Sequence, residues 1–209
     1  LEILSRFSTD SVDLIYLDPP FFSNRHYEVI WEDGAEIRAF QDRWQGGIEH
    51  YISWMQLRLT ECYRILKNTG SLFLHCDWHA NAHLRILLDK IFGENNFRNE
   101  IIWCYSHGGR SQKSFGRKHD TIFWYSKTAK YYFDEKAVRI PMKSGLTSFG
   151  GRLMTDKDGR KYRLVYGTKN AEGKTKYYKY YLDEGKIPED YWTDINSIQS
   201  QDPERLGYP

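Results

Sequence analysis

The residues with the clearest chemical potential form the sequence Asp-Pro-Pro-Phe at residues 18–21, directly after an apolar run. The run predicts a buried β-strand over residues 12–17, and the prolines end it because neither can donate to a sheet ladder. Asp18 is therefore expected at the carboxyl end of a strand, where open α/β sheets bind their ligands. The stretch would offer a carboxylate, rigid backbone carbonyls and an aromatic stacking face. The alternative is a proline-rich turn in which Asp18 is only a turn acceptor.

The elements around this motif alternate between strands and helices. Residues 49–67 predict a helix because apolar side chains recur at helical spacing, and the Asn-Thr-Gly sequence at 68–70 predicts its end. Residues 71–75 predict a second buried strand, followed by a helix that Asp77 caps and Gly93 ends. This order predicts a parallel α/β sheet with helices on both faces.

Three further stretches complete the predicted fold. Residues 28–49 are acidic and aromatic, and they predict an ordered loop. Residues 99–105 and 120–125 predict strands, and the lack of helical period between them favours an antiparallel pair at the sheet edge. Residues 155–173 carry Asp-Gly and Glu-Gly turn signals and predict β-hairpins. The expected fold class is α/β with a β-rich insertion.

The charge distribution is asymmetric. Residues 1–100 carry 10 Lys+Arg and 15 Asp+Glu, whereas the rest of the chain carries 20 and 13. A basic second half is typical of a phosphate-binding surface, and a solvated charged surface is the alternative.

The three cysteines are widely spaced and favour reduced thiols. Because no membrane-spanning apolar run or signal peptide is seen, we expect a cytoplasmic protein with no membrane contact. The chain starts with Leu rather than Met and is expected to be a piece of a longer protein.

Two basic stretches favour nucleic acid as the partner. The connection at residues 106–118 is rich in glycine, lysine and arginine, which suits a DNA backbone. After residue 127, tyrosines alternate with lysines and arginines, as on surfaces that bind nucleic acids. The alternative is a small β-rich subdomain with exposed tyrosines.

A group of side chains around His75 raises the question of a metal site. His79 and His83 are four residues apart on a predicted helix and could form a ligand pair. No Cys or Glu completes the set at a usual spacing, so no metal is expected. No Gly-x-Ser-x-Gly sequence or phosphate-binding Gly-Lys loop supports a hydrolase or an NTPase.

Five sequence blocks together carry a family resemblance, and they lie at residues 14–21, 66–70, 71–77, 99–103 and 118–125. In this order they resemble the β group of amino DNA methyltransferases, which includes many restriction-modification methylases and Type III modification subunits. The resemblance implies a Rossmann-like methyltransferase sheet, S-adenosyl-L-methionine as cofactor and double-stranded DNA as substrate. It also implies direct methyl transfer to the exocyclic amine of a flipped base. Asp at the first motif position favours N6 of adenine over N4 of cytosine.

The resemblance assigns site residues by position. The catalytic residues would be Asp18, Pro19, Pro20 and Phe21. The cofactor would contact Asp18, His75 and Asp77. Contacts to DNA are expected from two loops, through Ser23, Asn24, Arg25, Arg110, Lys113, Arg117 and Lys118.

The resemblance also implies a division of the chain. Residues 1–126 would form the catalytic part, residues 127–192 the target-recognition region, and residues 193–209 a linker. The family's Phe-x-Gly-x-Gly cofactor loop does not occur in the sequence, and it is expected after Pro209, so this chain alone is expected to bind the cofactor weakly or to be inactive. A restriction subunit or a homodimer is a possible assembly. The alternatives are a non-catalytic DNA-recognition module or subunit and, ranked lower, a methyltransferase for RNA or protein amides.

Overall fold

A five-stranded sheet organises the protein. The computed structural model describes residues 1–23, 26–30, 36–41, 44–106, 112–142, 152–198 and 203. The sheet contains β1 (Val12–Leu17), β4 (Leu66–Cys76), β5 (Phe97–Cys104), β6 (His119–Ser126) and β10 (Tyr191–Trp192). Their order is β1-β4-β6-β5-β10. The β1–β4 and β5–β10 pairs are parallel, and β6 runs antiparallel to both of its neighbours. The predicted α/β class is confirmed. The predicted antiparallel pair, β5 with β6, is also confirmed, but β10 lies beyond β5, so this pair is not at the edge of the sheet.

The main core lies between this sheet and two helices, α2 (Gly47–Ile65) and α3 (Asn81–Phe92). Both helices contribute to one cluster with alternate residues of β4, namely Leu72, Leu74 and Cys76, which are fully buried. On the opposite face of the sheet the rings of Phe73 and Trp124 stack at 5.5 Å. Within the described residues the two long helices therefore share one face, and the expected coverage of both faces is not seen.

The short helix α1 (Glu2–Ser5) precedes β1. No helix in the described part of the chain combines the length and apolar character needed to cross a membrane.

The region predicted as an ordered loop, 28–49, contains regular structure. Strands β2 (His26–Ile30) and β3 (Glu36–Gln41) pair antiparallel, and α2 begins at Gly47. The loop prediction is therefore wrong for most of this stretch. The Asp-Gly pair at 33–34 was the available signal, since this dipeptide favours hairpin turns.

Two helix ends also differ from the prediction. Helix α2 ends at Ile65, and Leu66 is already extended at φ −62° and ψ 138°. Leu66 is fully buried and pairs with Val12 of β1, so tertiary contacts override the local stop signal at 68–70. Helix α3 begins at Asn81 after Ala80, and hence Asp77 does not cap it.

The chain divides into two compact units. The first consists of Leu1–Tyr132 with Asp190–Pro209, and the second of Phe133–Glu189. The second unit contains an antiparallel sheet of β7 (Leu153–Thr155), β8 (Lys161–Lys169) and β9 (Thr175–Tyr181). Gly159 and Gly173 occupy the predicted turns with φ of +81° and +79°, values that favour glycine. The functional boundaries at residues 126 and 192 remain predictions.

Candidate active site

Asp18 lies where two parallel strands end together. Because β1 and β4 are parallel and Leu17 is opposite Leu74, the next residues of both strands, Asp18 and His75, come side by side. The Nδ1 atom of His75 is 3.2 Å from Oδ1 of Asp18. The Asp18 side chain is 60% exposed, whereas that of His75 is 10% exposed. The carboxylate is thus held from the protein side and remains accessible from solvent.

The two prolines after Asp18 form a turn that helix α2 holds in place. The hydroxyl of Tyr51 donates a hydrogen bond of 2.7 Å to the carbonyl of Pro20. Tyr51 is fully buried, and Pro19 is buried as well. Phe22 follows with a positive φ of 63°, an uncommon conformation for a residue with a side chain. Its ring lies 5.6 Å from that of Tyr51, so packing stabilises the strained turn.

Aromatic rings surround His75 at this end of the sheet. Phe21 contacts the imidazole edge-on at a centroid distance of 5.0 Å, and Trp103 lies 5.8 Å from it. Tyr16 is 6.5 Å away. Phe21 is only partly buried, and so part of its ring surface remains accessible for stacking.

A second carboxylate approaches His75 from the other side. Asp120, near the start of β6, places Oδ2 at 3.5 Å from Nε2 of His75, an ion-pair distance that is too long for a good hydrogen bond. The hydroxyl of Tyr105 donates to Oδ1 of Asp120 over 3.2 Å. Asp120 is 14% exposed, so its charge is largely shielded from water and depends on these neighbours.

These contacts change the protonation of the site. Burial lowers the pKa of His75, but the carboxylates of Asp120 and Asp18 outweigh it and raise that pKa to about 9. His75 is therefore an imidazolium at neutral pH. Burial and the neighbouring Asp120 charge raise the pKa of Tyr105 to about 12, which keeps this phenol neutral and a donor.

Asp77 lies just after β4 and binds its own chain neighbour. Its Oδ1 accepts from the backbone N–H of His79 at 2.9 Å, and its Oδ2 is 2.7 Å from Nδ1 of the same residue. The expected contact between Asp77 and a cofactor stays a prediction. His79 also stacks on Trp78 with ring centroids 3.8 Å apart.

The loop before β6 presents basic and aromatic side chains. The guanidinium of Arg117 lies 3.7 Å above the ring of Trp78, a cation–π contact. Phe115 is fully exposed, and Lys113 is exposed. The carbonyl of Lys118 accepts from the N–H of Tyr105 at 2.9 Å, which fastens the loop to the end of β5.

The predicted site residues are thus brought together only in part. Asp18 and Phe21 each contact His75. Ser23 is half-buried shortly after the proline turn. Asn24, Arg25 and Arg110 lie outside the described residues.

Sequence reasoning missed Tyr51, Asp120, Tyr105 and Trp103. Tyr51 is one of the apolar positions of the predicted helix 49–67, and its hydrogen bond to Pro20 joins residues 31 apart in the chain. Asp120 precedes a strongly apolar strand, as Asp18 follows one, and this was the only local signal. Its proximity to His75 requires the antiparallel pairing of β4 with β6.

Comparison with known proteins identifies the family. Residues 12–206 match the N6_N4_Mtase family, described as DNA methylase. The chain is 32% identical over 134 residues to the Type II methyltransferase M.KpnI of Klebsiella pneumoniae, covering 61% of this chain and 30% of the relative. It is 31% identical over 141 residues to the Type II methyltransferase M.BglII of Bacillus subtilis, covering 64% and 35%. The DNA adenine methyltransferase YhdJ of Escherichia coli K12 is 26% identical over 144 residues, covering 68% and 44%.

These matches cover more than half of this chain but less than half of each relative. The chain spans between 30% and 44% of the length of these three curated relatives. The family match, in contrast, covers nearly the whole chain and includes the Asp18 turn, His75 and Asp120. The chain therefore belongs to the N6_N4_Mtase family of DNA methylases.

Proposed function

We propose that this chain is the catalytic and target-recognition portion of a DNA methyltransferase that uses S-adenosyl-L-methionine and acts on the exocyclic amine of a flipped base. The observation that carries the proposal is the Asp18 turn, in which His75 holds the carboxylate and Tyr51 holds the prolines. An exocyclic amine is a poor nucleophile because its lone pair is delocalised into the ring. Two rigid acceptors can bind its two N–H groups and localise that lone pair.

In the proposed mechanism the chain's own residues orient the amine. The Asp18 carboxylate accepts one N–H, and the backbone carbonyl of Pro19 accepts the other. Phe21 stacks on the base after it leaves the duplex, which is worth roughly 1–3 kcal/mol per base. The oriented nitrogen would form a bond to the methyl carbon as the carbon–sulfur bond of the sulfonium breaks and a neutral thioether leaves. The amine would then release one proton to water, so no covalent enzyme intermediate is needed.

The side chains at this end of the sheet fit a cationic cofactor. S-adenosyl-L-methionine supplies an electrophilic methyl group on a positively charged sulfonium. Three carboxylates, those of Asp18, Asp77 and Asp120, lie near this edge, and the imidazolium of His75 neutralises one of them. The remaining negative charge favours a cation, and Asp18 and Asp77 would hold it.

The proposed target is N6 of adenine. Support comes from the aspartate at the start of Asp-Pro-Pro-Phe and from the relative named as a DNA adenine methyltransferase. N4 of cytosine is the second candidate, because a carboxylate and a carbonyl can accept from either amine.

Two surfaces are proposed to contact DNA, each considered within its own unit. In the first unit, the loop at 112–118 carries exposed lysine and arginine beside fully exposed Phe115, and this combination suits phosphates and bases. In the second unit, β8 and β9 expose tyrosines between lysines, with Tyr166, Tyr177, Tyr178 and Tyr180 all at least 47% exposed. We assign target recognition to the second unit.

The free edge of β1 is the proposed place for the rest of the enzyme. β1 is the end strand among those described, and Leu14 and Tyr16 are 59% and 57% exposed. A shallow apolar groove follows it, formed with Leu4, Phe7 and Ile65. Since the matched part makes up only 30% to 44% of the curated relatives, we infer that a cofactor-binding half covers this edge. The assembly with a restriction subunit or as a homodimer, and a cytoplasmic location, remain part of the proposal.

Mass spectrometry of nucleosides from DNA tests the function and names the base. Unmethylated DNA is incubated with S-adenosyl-L-methionine and the protein, both as this chain and with its natural flanking coding sequence. The Asp18→Ala variant is compared with Asp13→Ala, which removes an exposed carboxylate of the same strand that pairs with Lys67. N6-methyladenine that only Asp18→Ala abolishes supports the proposal. DNA binding without any methylated nucleoside in both forms of the protein would favour a non-catalytic recognition module.

A further inference from the structure

His75 lies between two carboxylates that come from two neighbouring strands of the sheet. Asp18 reaches it from the end of β1 at 3.2 Å and Asp120 from β6 at 3.5 Å. Two phenols also face the group, Tyr105 through its bond to Asp120 and Tyr16 across a ring distance of 6.5 Å. Two further neighbours among the described residues, Phe21 and Trp103, are aromatic and carry no charge.

The burial of this cluster is uneven, and this determines what each member does. Asp120 and His75 are 14% and 10% exposed, whereas Asp18 is 60% exposed. A carboxylate as buried as Asp120 needs a cation or good donors, because an unpaired buried charge is costly. Tyr105 donates to one of its oxygens, and the His75 ring faces the other. Asp120 and His75 therefore form a largely buried pair that supports the exposed carboxylate of Asp18 from the protein side.

Asp18 has no such enclosure of its own. An exposed aspartate at a strand end can rotate about its side-chain bonds, and each freely rotating bond adds an entropic cost when a substrate must be oriented. The contact from Nδ1 of His75 to Oδ1 removes this freedom. Its geometry depends in turn on Asp120, which orients the opposite edge of the imidazole.

We propose that His75, anchored by Asp120, is a positioning residue that fixes the Asp18 carboxylate for the target amine. The inference rests on the proposed function, since it assigns a role within the same site. It makes Asp120, which binds neither base nor cofactor in this account, a determinant of the rate of methyl transfer. It also ties that rate to the charge of the His75 ring.

Nuclear magnetic resonance of the histidine rings tests the anchoring without any activity. The pKa of His75 should lie near 9 in the wild type and fall by at least one unit in Asp120→Asn, because one of the two carboxylates that favour the imidazolium is removed. Asp13→Asn, on the exposed side of β1, should leave it unchanged. A wild-type His75 that titrates near 6.5, or a value that Asp120→Asn does not move, would overturn the inference, and the wild-type result decides even if the variant fails to fold.

Kinetics test the consequence in the active enzyme. Asp120→Asn should lower kcat at least tenfold with KM for DNA and cofactor unchanged within about twofold, as expected when only the oriented state is lost. The alkaline limb of its pH–rate profile should move to lower pH, which a purely structural defect would not produce. Equal kcat and an unchanged profile would overturn the proposal. Failure of the proposed function is distinguishable, because the wild type itself would then transfer no methyl group.

Discussion

At the scale of single residues, the site depends on buried partners that hold the Asp18 carboxylate and the Pro20 carbonyl. His75 and Tyr51 each contact the Asp18 turn from the core side. Neither needs to contact a substrate to affect catalysis, since the reacting geometry must be held to within a fraction of an ångström. Substitutions of these partners should therefore change rate more than binding.

Tyr51→Phe removes one hydroxyl from the core and leaves the Pro20 carbonyl without its donor. We expect a loss of about 1–2 kcal/mol in the free energy of unfolding and a several-fold lower kcat, because the proline turn is less firmly held. Urea denaturation and steady-state kinetics measure the two effects. The matched control is Tyr63→Phe on the same helix, where the ring packs against Phe92. Equal kcat in both variants would contradict this role of Tyr51.

The raised pKa of His75 predicts how stability depends on pH. The folded state binds the proton more tightly than the unfolded state, whose pKa is near 6.5. The resulting stabilisation is fully present below pH 6.5 and is lost as the pH rises through about 9. The raised pKa of His75 corresponds to a stabilisation of the folded state on the order of 3 kcal/mol.

The measurement is the free energy of unfolding of the wild type and of His75→Gln between pH 6 and pH 10. The difference between the two should be largest at the acidic end and shrink towards pH 10. Comparing the two proteins cancels other titrating groups, such as Tyr105, that they share. A difference that stays constant across this range would show that the pKa of His75 is not raised in the folded state.

At the scale of elements, local sequence does not predict the junction between helix α2 and strand β4. Four of the five strands of the main sheet follow from apolar runs, and both long helices follow from their apolar period; β10 does not. The end of α2 does not, because Leu66 turns into β4 to pair with Val12. Lys127 supports this junction from a distant position, with Nζ 2.6 Å from both the Leu66 carbonyl and Asp10 Oδ1. A buried lysine that serves a turn 61 residues earlier has no signature in local sequence.

Gly70 tests the packing at this junction. A Cβ atom there would lie 2.9 Å from Cδ2 of Leu66 and 3.0 Å from the Asp13 carbonyl, which is backbone and cannot move freely. We expect Gly70→Ala to lower the free energy of unfolding by about 1–3 kcal/mol. Gly116→Ala is the control, since among the described residues its added Cβ meets the flexible Lys118 side chain, at 3.4 Å. Thermal unfolding of both variants measures the effect, and equal midpoints would show that β1 and β4 can separate without cost.

The candidate site illustrates the same division between local and long-range information. The Asp18 turn could be predicted because strand, acid and prolines are adjacent in sequence. Asp120 and Tyr51 could not, since they reach the turn only through the order and direction of strands and the placement of α2. The pairs β2–β3 and β5–β10 were missed for a related reason. Short strands are defined by their partners more than by their own composition.

At the scale of the whole molecule, the exposed edge of β1 is where we propose that the rest of the enzyme packs. Leu14 on this edge and Leu57 on α2 are 59% and 57% exposed, so a lysine at either position should cost this chain little stability. If a cofactor-binding half covers β1, Leu14→Lys should weaken cofactor binding at least tenfold in the full-length enzyme, whereas Leu57→Lys should not. Titration calorimetry measures the affinity. Equal affinity in both variants would place the missing half elsewhere.

The single-turnover rate of the Asp18→Asn variant tests whether the Asp18 carboxylate orients the target amine. The enzyme, expressed with its natural flanking sequence and saturated with DNA and S-adenosyl-L-methionine, is compared with Asp13→Asn as control. Asparagine keeps the shape of the side chain but removes the charge and replaces one acceptor by a donor. The account predicts a rate about 10²- to 10³-fold lower for Asp18→Asn, with Asp13→Asn at the wild-type rate. A rate within about twofold of the wild type would contradict the claim that the Asp18 carboxylate orients the amine.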